Sequence, residues 1–340
     1  MSIFHIDPDI RRASTLHSDF YTDQHWFDES KEKIFARSWQ FLGRGSDLKE
    51  TLTPLTLLPS VLDEPLLIVR TSEYISCLSN VCTHRGKILV EAACGGDLIR
   101  CPYHGRRFLL DGKCASMPEF DDVVGFPAES DDLQSLPLAE RSGFLFCSLD
   151  PVVSFDDLVC DVAAHLPGDR TGLSLAETRE YDVNAHWALY CENYLEGFHI
   201  PYVHPSLNKV VDYGTYTTET FRYSSLQTGH SAGGEIEARY LFLFPNMMFN
   251  FYPWGISVNI VRPVTKDRTV VEFLTYIADE LLYHKGAGAD LHCVELEDEA
   301  VVESVQKGVR SRLYTHGRYS PTREQGTHHF HTLIAEFMNA

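Results

Sequence analysis

Between residues 82 and 104 the chain sets two cysteines and two histidines in paired short spacings. Cys82 and His84 are separated by one residue, Cys101 and His104 by two, and sixteen residues lie between the pairs. Four such side chains can surround one metal centre. Runs at 55–58, 66–69, 74–77 and 144–149 around them are β-type and punctuated by Gly, Pro and Asp, which predicts a small all-β domain over 41–152.

Structural zinc is one reading of the four side chains, but zinc sites favour a gap of about two to four residues in each Cys pair. Cys-x-His followed by Cys-x-x-His is instead the pattern of a Rieske [2Fe–2S] centre, where two His replace two Cys on one iron. The flanks agree: Cys82-Thr83-His84-Arg85-Gly86 and Cys101-Pro102-Tyr103-His104-Gly105 resemble Rieske binding loops. Rieske proteins of respiratory complexes carry an extra Cys in each loop and a Ser after the second Gly; here those positions are Lys87, Tyr103 and Arg106. Fewer hydrogen bonds to the sulfurs imply a lower potential, as in oxygenase systems. Cys94 and Cys114 lie nearby without ligand spacing and read as structural thiols.

A second constellation runs from Glu192 to His204. His199 and His204 are five residues apart, with Glu196 three before the first. Five residues on one helix turn through about 500°, so the imidazoles would diverge by roughly 140°. Pro201 is expected to end a helix near His199 and let His204 swing back, while Glu196 and His199 share a face. The two-His-one-carboxylate triad of non-haem Fe(II) oxygenases needs a third ligand. A long helix expected over 291–313 offers one. Val294, Val301, Val302, Val305 and Val309 form an apolar stripe with Asp298 in its middle, while Glu297, Glu299 and Glu303 point elsewhere. A buried Asp either pairs with a cation such as Arg or binds a metal.

The rest of the chain bounds the function class. With 29 Lys+Arg against 48 Asp+Glu the formal charge is −19, which argues against nucleic acid or an anionic membrane as partner. No signal-peptide pattern or membrane-length apolar run is visible, so a cytoplasmic enzyme is expected, its nine cysteines free thiols or metal ligands. Residues 22–39 look helical, with Thr22 as cap and Phe27, Ile34, Phe35 and Trp39 on one face. Another short amphipathic helix is expected over 155–166. Beyond 170, strand-like stretches such as 239–262 and 268–277 predict an α+β domain with an antiparallel sheet.

Over essentially its whole length the chain resembles the catalytic α subunit of Rieske non-haem iron oxygenases. Asn193 through His204 matches the family's Asn-x-x-(Asp/Glu)-x-x-His-x-x-x-x-His motif, and Asp298, followed by Glu303 and Gln306, is similar to its C-terminal Asp ligand and helix. The resemblance implies an α+β chain: a helical segment over 1–40 packed on the catalytic domain, a Rieske domain over 41–152, and a helix-grip (START/Bet v 1-like) catalytic domain over 153–340. It implies a [2Fe–2S] cluster on Cys82, His84, Cys101 and His104, and mononuclear Fe(II) on His199, His204 and Asp298. It also implies a head-to-tail homotrimer, with Glu196 touching His199 of its own chain and His104 of the partner subunit. Asn193 belongs to the same motif as a candidate catalytic residue. Most members carry Asp where this chain has Glu196, a departure associated with the subgroup acting on carnitine, choline and other quaternary amines. The runs 303–308 and 327–331 are also similar to that subgroup, and the tail histidines in the latter read as structural.

The reaction so implied is O₂-dependent hydroxylation of a small molecule. On an N-methyl carbon it leads to N-dealkylation or C–N cleavage; the alternative is aromatic ring hydroxylation or cis-dihydroxylation. No Gly-x-Gly-x-x-Gly fingerprint is present, so electrons must come from a separate NAD(P)H-dependent flavin/iron–sulfur reductase, directly or through a ferredoxin. Tyr194, Phe198, Tyr202, Phe244, Phe249, Phe251 and Trp254 are candidates to line the substrate pocket, where aromatic rings suit a quaternary ammonium or an arene. A different class remains open: a Rieske electron-transfer protein whose C-terminal domain only binds a ligand. Residues 82–113 carry Arg85, Lys87, Arg100, Arg106, Arg107 and Lys113 against Glu91, Asp97 and Asp111. That basic collar is either solvated loop charge or a docking surface for an acidic electron donor.

Overall fold

Aromatic and β-branched residues fill positions 217–277, and short polar or Gly/Pro-containing turns interrupt them, so this stretch folds as consecutive hairpins. With Ser174–Val183 these strands form one antiparallel seven-stranded sheet. Its order is Ser174–Val183, Arg268–Ile277, Gly255–Thr265, Met247–Tyr252, Ile236–Leu243, Ser224–His230, Thr217–Thr220. The computed structural model describes residues 4–166, 172–283, 285–288 and 290–340. They divide into two compact units, Ala36–Val152 and Met1–Phe35 with Val153–Ala340.

In the larger unit three helices carry the packing against this sheet, giving the α+β helix-grip arrangement. Trp187–Tyr194 buries Trp187, Ala188, Leu189, Tyr190 and Cys191. Gln325–Asn339 sets Phe330 against Trp187, Phe242 and Phe244, with ring centroids 5.7, 5.4 and 6.0 Å apart. Leu291–Val309, capped by Asp290 accepting from the Cys293 N–H, is the longest. It stops four residues short of the expected 313, just after Gly308, a weak helix former.

The N-terminal segment packs on this unit: Phe35 meets Trp187 edge-on at 4.9 Å, and Lys33 Nζ donates to the Met338 carbonyl. Instead of one helix over 22–39 it forms Asp19–Thr22, Gln24–Ser30 and a π-helical turn Lys31–Phe35. The cap is Asp23, whose carboxylate accepts from the His25 N–H, while the Thr22 hydroxyl is spent on the Ser18 carbonyl. The helix expected over 155–166 is Phe155–Val159 followed by a 3₁₀ turn, Ala163–His165.

The smaller unit is all-β, with sheets of four, three and three strands. Among the described residues no helix is long and apolar enough to cross a membrane.

Two features of the larger unit govern the segment that follows Tyr194. His186 is fully buried, caps the Trp187–Tyr194 helix by accepting from the Ala188 N–H, and has its pKa lowered by burial to about 3. Unfolded, it titrates near 6.5, so between about pH 6.5 and 3 only the unfolded chain takes up the proton. Stability is expected to fall as pH drops through this window. His186→Asn, which keeps a capping oxygen, should flatten the fall in denaturant melts recorded across it. Gly326 abuts the Leu195 carbonyl oxygen so closely that a β-carbon would overlap it. Gly326→Ala should therefore cost about 1–3 kcal/mol, read as a lowered Tm; an unchanged Tm would mean the helix moves freely there.

Candidate metal centres and their cavity

The Trp187–Tyr194 helix stops before the motif's acid: the Leu195 N–H bonds the Cys191 and Glu192 carbonyls and the chain turns away. Glu196 then organises the turn. Its Oε2 accepts from the backbone N–H groups of Phe198 and His199, and its Oε1 accepts from His199 Nδ1 at 2.8 Å. Pro201 does not end a helix here. It sits in the first turn of a new one, Ile200–Val203, where its missing N–H costs nothing, and that turn brings His204 back.

His204 is buried, and its Nδ1 donates to Glu297 Oε2 at 2.7 Å. An ionised carboxylate only accepts, so Glu196 and Glu297 fix the proton of each ring on Nδ1 and leave each Nε2 lone pair inward. Both lone pairs converge on Asp298 Oδ1, at 3.6 Å from His199 and 3.1 Å from His204. Ligand atoms of these three residues lie within 4.8 Å of one another. Two lone pairs and a carboxylate oxygen facing each other at low exposure repel unless a cation sits among them. The donor set, two imidazoles and one carboxylate, suits Fe(II). Among the described residues the ion-pair partners of Asp298 are these two histidines, with neither Arg nor Lys beside them.

The buried face of Leu291–Val309 differs from the valine stripe. Glu295, Val302, Gln306 and Val309 are buried, and Val305 is exposed. The face is rotated because its polar members have work inside: Gln306 Oε1 accepts from the His186 N–H, and Glu295 Oε2 accepts from the Tyr190 hydroxyl at 2.7 Å. Glu297, expected to point elsewhere, is the His204 partner. Glu303 accepts from Asn184. Burial, with the Asp298 charge adding to it, pushes the Glu295 pKa well up.

A cavity opens over His199, His204 and Asp298. It is lined by Asn193, Tyr190, Tyr194, Tyr216, Tyr240, Tyr252 and Phe273, together with Asn250, Asn259 and Glu295. Of the aromatic residues expected there, only Tyr194 is among the lining. Phe198 and Tyr202 point to solvent, the latter 80% exposed, because the short Ile200–Val203 helix turns its histidines inward. Strand alternation sends Asn250 and Tyr252 into the cavity and Phe249 and Phe251 to the opposite face. Phe244 packs under Phe330 and Phe337, and Trp254 stacks behind Tyr252 at 4.9 Å. The tyrosines are tied down: Tyr194 donates to Asn250 Oδ1 at 2.8 Å and Tyr216 to Gln227 Oε1 at 3.2 Å. Gly197 lets Tyr216 lie against the turn, since a β-carbon would come within 2.5 Å of its ring.

In the smaller unit the two Cys–His loops share one backbone design. Cys82 and Cys101 N–H groups donate to the carbonyls of Lys87 and Arg106, and their own carbonyls accept from Gly86 and Gly105, both at positive φ. Both cysteines are buried, and the His84 and His104 rings lie 4.9 Å apart. Two buried sulfurs beneath two more exposed imidazoles fit a cluster bound by Cys on one iron and His on the other. Arg106 is no part of an exposed collar: it is 2% exposed, paired with Asp131, and its Nε–H points at Cys114 Sγ. Lys87 pairs with Glu91, leaving Arg85, Arg100, Arg107 and Lys113 exposed. Among the tail histidines His331 is buried against Tyr319, Tyr21 and Glu192, and His328 bonds the Asp7 carbonyl.

The chain matches the family model of the Rieske [2Fe-2S] domain over residues 38–127 and that of the ring hydroxylating alpha subunit (catalytic domain) over 171–234 and 211–340. It is 30% identical to the chloroplastic choline monooxygenase of Arabidopsis thaliana, covering 96% of this chain and 84% of that one. It is 28% identical to the carnitine monooxygenase oxygenase subunit of Escherichia coli (strain K12), covering 96% and 94%. A crystal structure of the quaternary ammonium Rieske monooxygenase CntA, with inhibitor MMV12, superposes with a TM-score of 0.83 at 28% identity, covering 98% and 99%.

Removing the carboxylate that faces both Nε2 atoms should empty one centre only. Asp298→Ala is expected to abolish turnover and lose mononuclear iron with the cluster absorption intact; retained activity would put the third ligand elsewhere. Glu297→Gln, which frees the His204 tautomer, should weaken iron affinity about 10–100-fold, measured by titration of Fe(II) into chelated protein.

Proposed function

The chain belongs to the Rieske non-haem iron oxygenase α subunits and is an oxidoreductase, and from this premise we propose that its substrate is a small quaternary amine hydroxylated on a carbon next to nitrogen. The observation that carries the reading is the pairing of the His199–His204–Asp298 set with a cavity walled by five tyrosines. Electron-rich rings attract a cation that cannot donate hydrogen bonds. An arene is served by such rings too, but not by the buried carboxyl among them.

His199, His204 and Asp298 would hold Fe(II), and Cys82, His84, Cys101 and His104 the cluster. When bound, the iron supplies O₂ activation and the cluster single electrons. Glu196 keeps the His199 Nε2 lone pair inward through its bond to Nδ1–H. The tyrosine walls hold the N-alkyl group against the site and exclude water. Net, one oxygen atom enters the C–H bond and the other leaves as water, using two electrons and two protons. On an N-methyl group the product collapses to a tertiary amine, formaldehyde and a proton.

The electrons come from an NAD(P)H-dependent reductase, directly or through a ferredoxin. His104 is exposed and stacked on Tyr103 at 3.7 Å, which suits contact with a neighbouring subunit. We assign Glu196 the bridge between its own His199 and His104 of the partner subunit, within a homotrimer. Inter-subunit electron transfer is described for a quaternary ammonium Rieske monooxygenase of the same fold, with a TM-score of 0.80 and 27% identity. The seven cysteines besides Cys82 and Cys101 form no disulfide, which suits a reducing, cytoplasmic setting.

O₂ uptake coupled to product formation, measured with a surrogate reductase across quaternary amines and neutral arenes, tests the reading. Coupled uptake is expected with the amines, and arene-only turnover would replace the substrate class. Glu196→Ala should stop electron delivery with both metals still bound; coupled turnover in that variant would refute the bridge. Iron content, with EPR before and after dithionite and after NO, excludes the oxygenase if no mononuclear signal appears.

A further inference from the structure

The cavity's charge is one-sided. Among its described lining residues the ionisable side chains other than tyrosine are Glu196, Glu295, Asp298, His199 and His204, and neither Lys nor Arg is present. Glu196, Asp298 and the histidines are occupied with one another. Glu295 is not. It is 3% exposed, one carboxyl oxygen accepts from Tyr190, and Oε1 has no hydrogen-bond partner. A buried carboxyl oxygen without a partner beside an aromatic-walled space is costly unless a ligand group answers it.

We propose that Glu295 makes this cavity selective for amines whose only charge is positive, and that it rejects ammonium compounds that also carry a carboxylate. The inference rests on the quaternary-amine reading above and narrows it. An ammonium group among the tyrosines faces the Glu295 carboxyl and is attracted by it, and its arrival favours the ionised form. A carboxylate on the same ligand opposes that ionisation of Glu295, and the described lining holds no Lys or Arg to receive it. An adjoining cavity shares Phe273 and Leu291 and holds Arg179, but that guanidinium is already matched by Glu177 at 2.6 Å, and Asp290 lines the same cavity. A carboxylate reaching that far would compete with an existing ion pair.

The test is equilibrium binding by calorimetry to the iron-replete protein. The probes are choline, glycine betaine, L-carnitine, 3,3-dimethylbutan-1-ol (the neutral carbon analogue of choline) and naphthalene. Choline is expected to bind about tenfold or more tighter than betaine, carnitine or the neutral alcohol. Glu295→Gln should erase the preference of choline over the alcohol while leaving the alcohol's Kd and the cluster spectrum unchanged. Betaine or carnitine binding as tightly as choline would overturn the inference and leave the quaternary-amine reading standing; that comparison needs only the unaltered chain. A full choline preference in Glu295→Gln would overturn it too. Binding of naphthalene with none of the ammonium compounds would sink both.

Discussion

Two imidazole lone pairs and one carboxylate oxygen are held face to face in a poorly exposed spot, and the fold is arranged so that they cannot escape. Glu196 and Glu297 each take the outer Nδ1–H of one histidine, at 2.8 and 2.7 Å, and so fix both tautomers. Without a cation at the convergence point this arrangement is repulsive, and the three donors would hold one there, beside the cavity. The helix that ends at Tyr194, the Glu196-capped turn and the Asp290-capped Leu291–Val309 helix are the means of bringing those donors together.

The same helix surfaces also make the substrate space. Asp298 and Glu295 are three residues apart on Leu291–Val309, so one face supplies both a carboxyl that faces the two histidines and one that faces the cavity. Only one of the two has a histidine partner. The sheet contributes by its two-residue alternation: Tyr240, Asn250, Tyr252, Asn259 and Phe273 face the helices, and their sequence neighbours face away. Hydrogen bonds from Tyr194 and Tyr216 to amide side chains then fix the rings, which keeps the walls pre-formed.

Several expectations failed for a shared reason. The valine stripe was a count of apolar residues, but Glu295 and Gln306 have buried partners on other elements, and the helix turns toward them rather than toward Val305. Phe198 and Tyr202 share the metal motif yet lie outside, since a short helix can aim only one side inward. Arg106 reads as loop charge until Asp131 and the Cys114 sulfur, distant in sequence, enclose it. For the helix face and for Arg106 the deciding partner lies outside the segment, where periodicity within it has no reach.

The donor pattern is legible in the chain alone: Cys-x-His with Cys-x-x-His, the Glu196–His199–His204 spacing and Asp298 within the valine stripe are local, and local spacing dictates which donors share a turn. The sequence determined the family through those same residues, and the alternation of a β unit followed by an α+β unit. Packing between distant segments settles which carboxylates guard the histidines, which tyrosines wall the cavity, and that Glu295 is buried with one oxygen unanswered. Those are contacts between segments as much as 105 residues apart, as between Tyr190 and Glu295, and they follow from how the helices pack on the sheet.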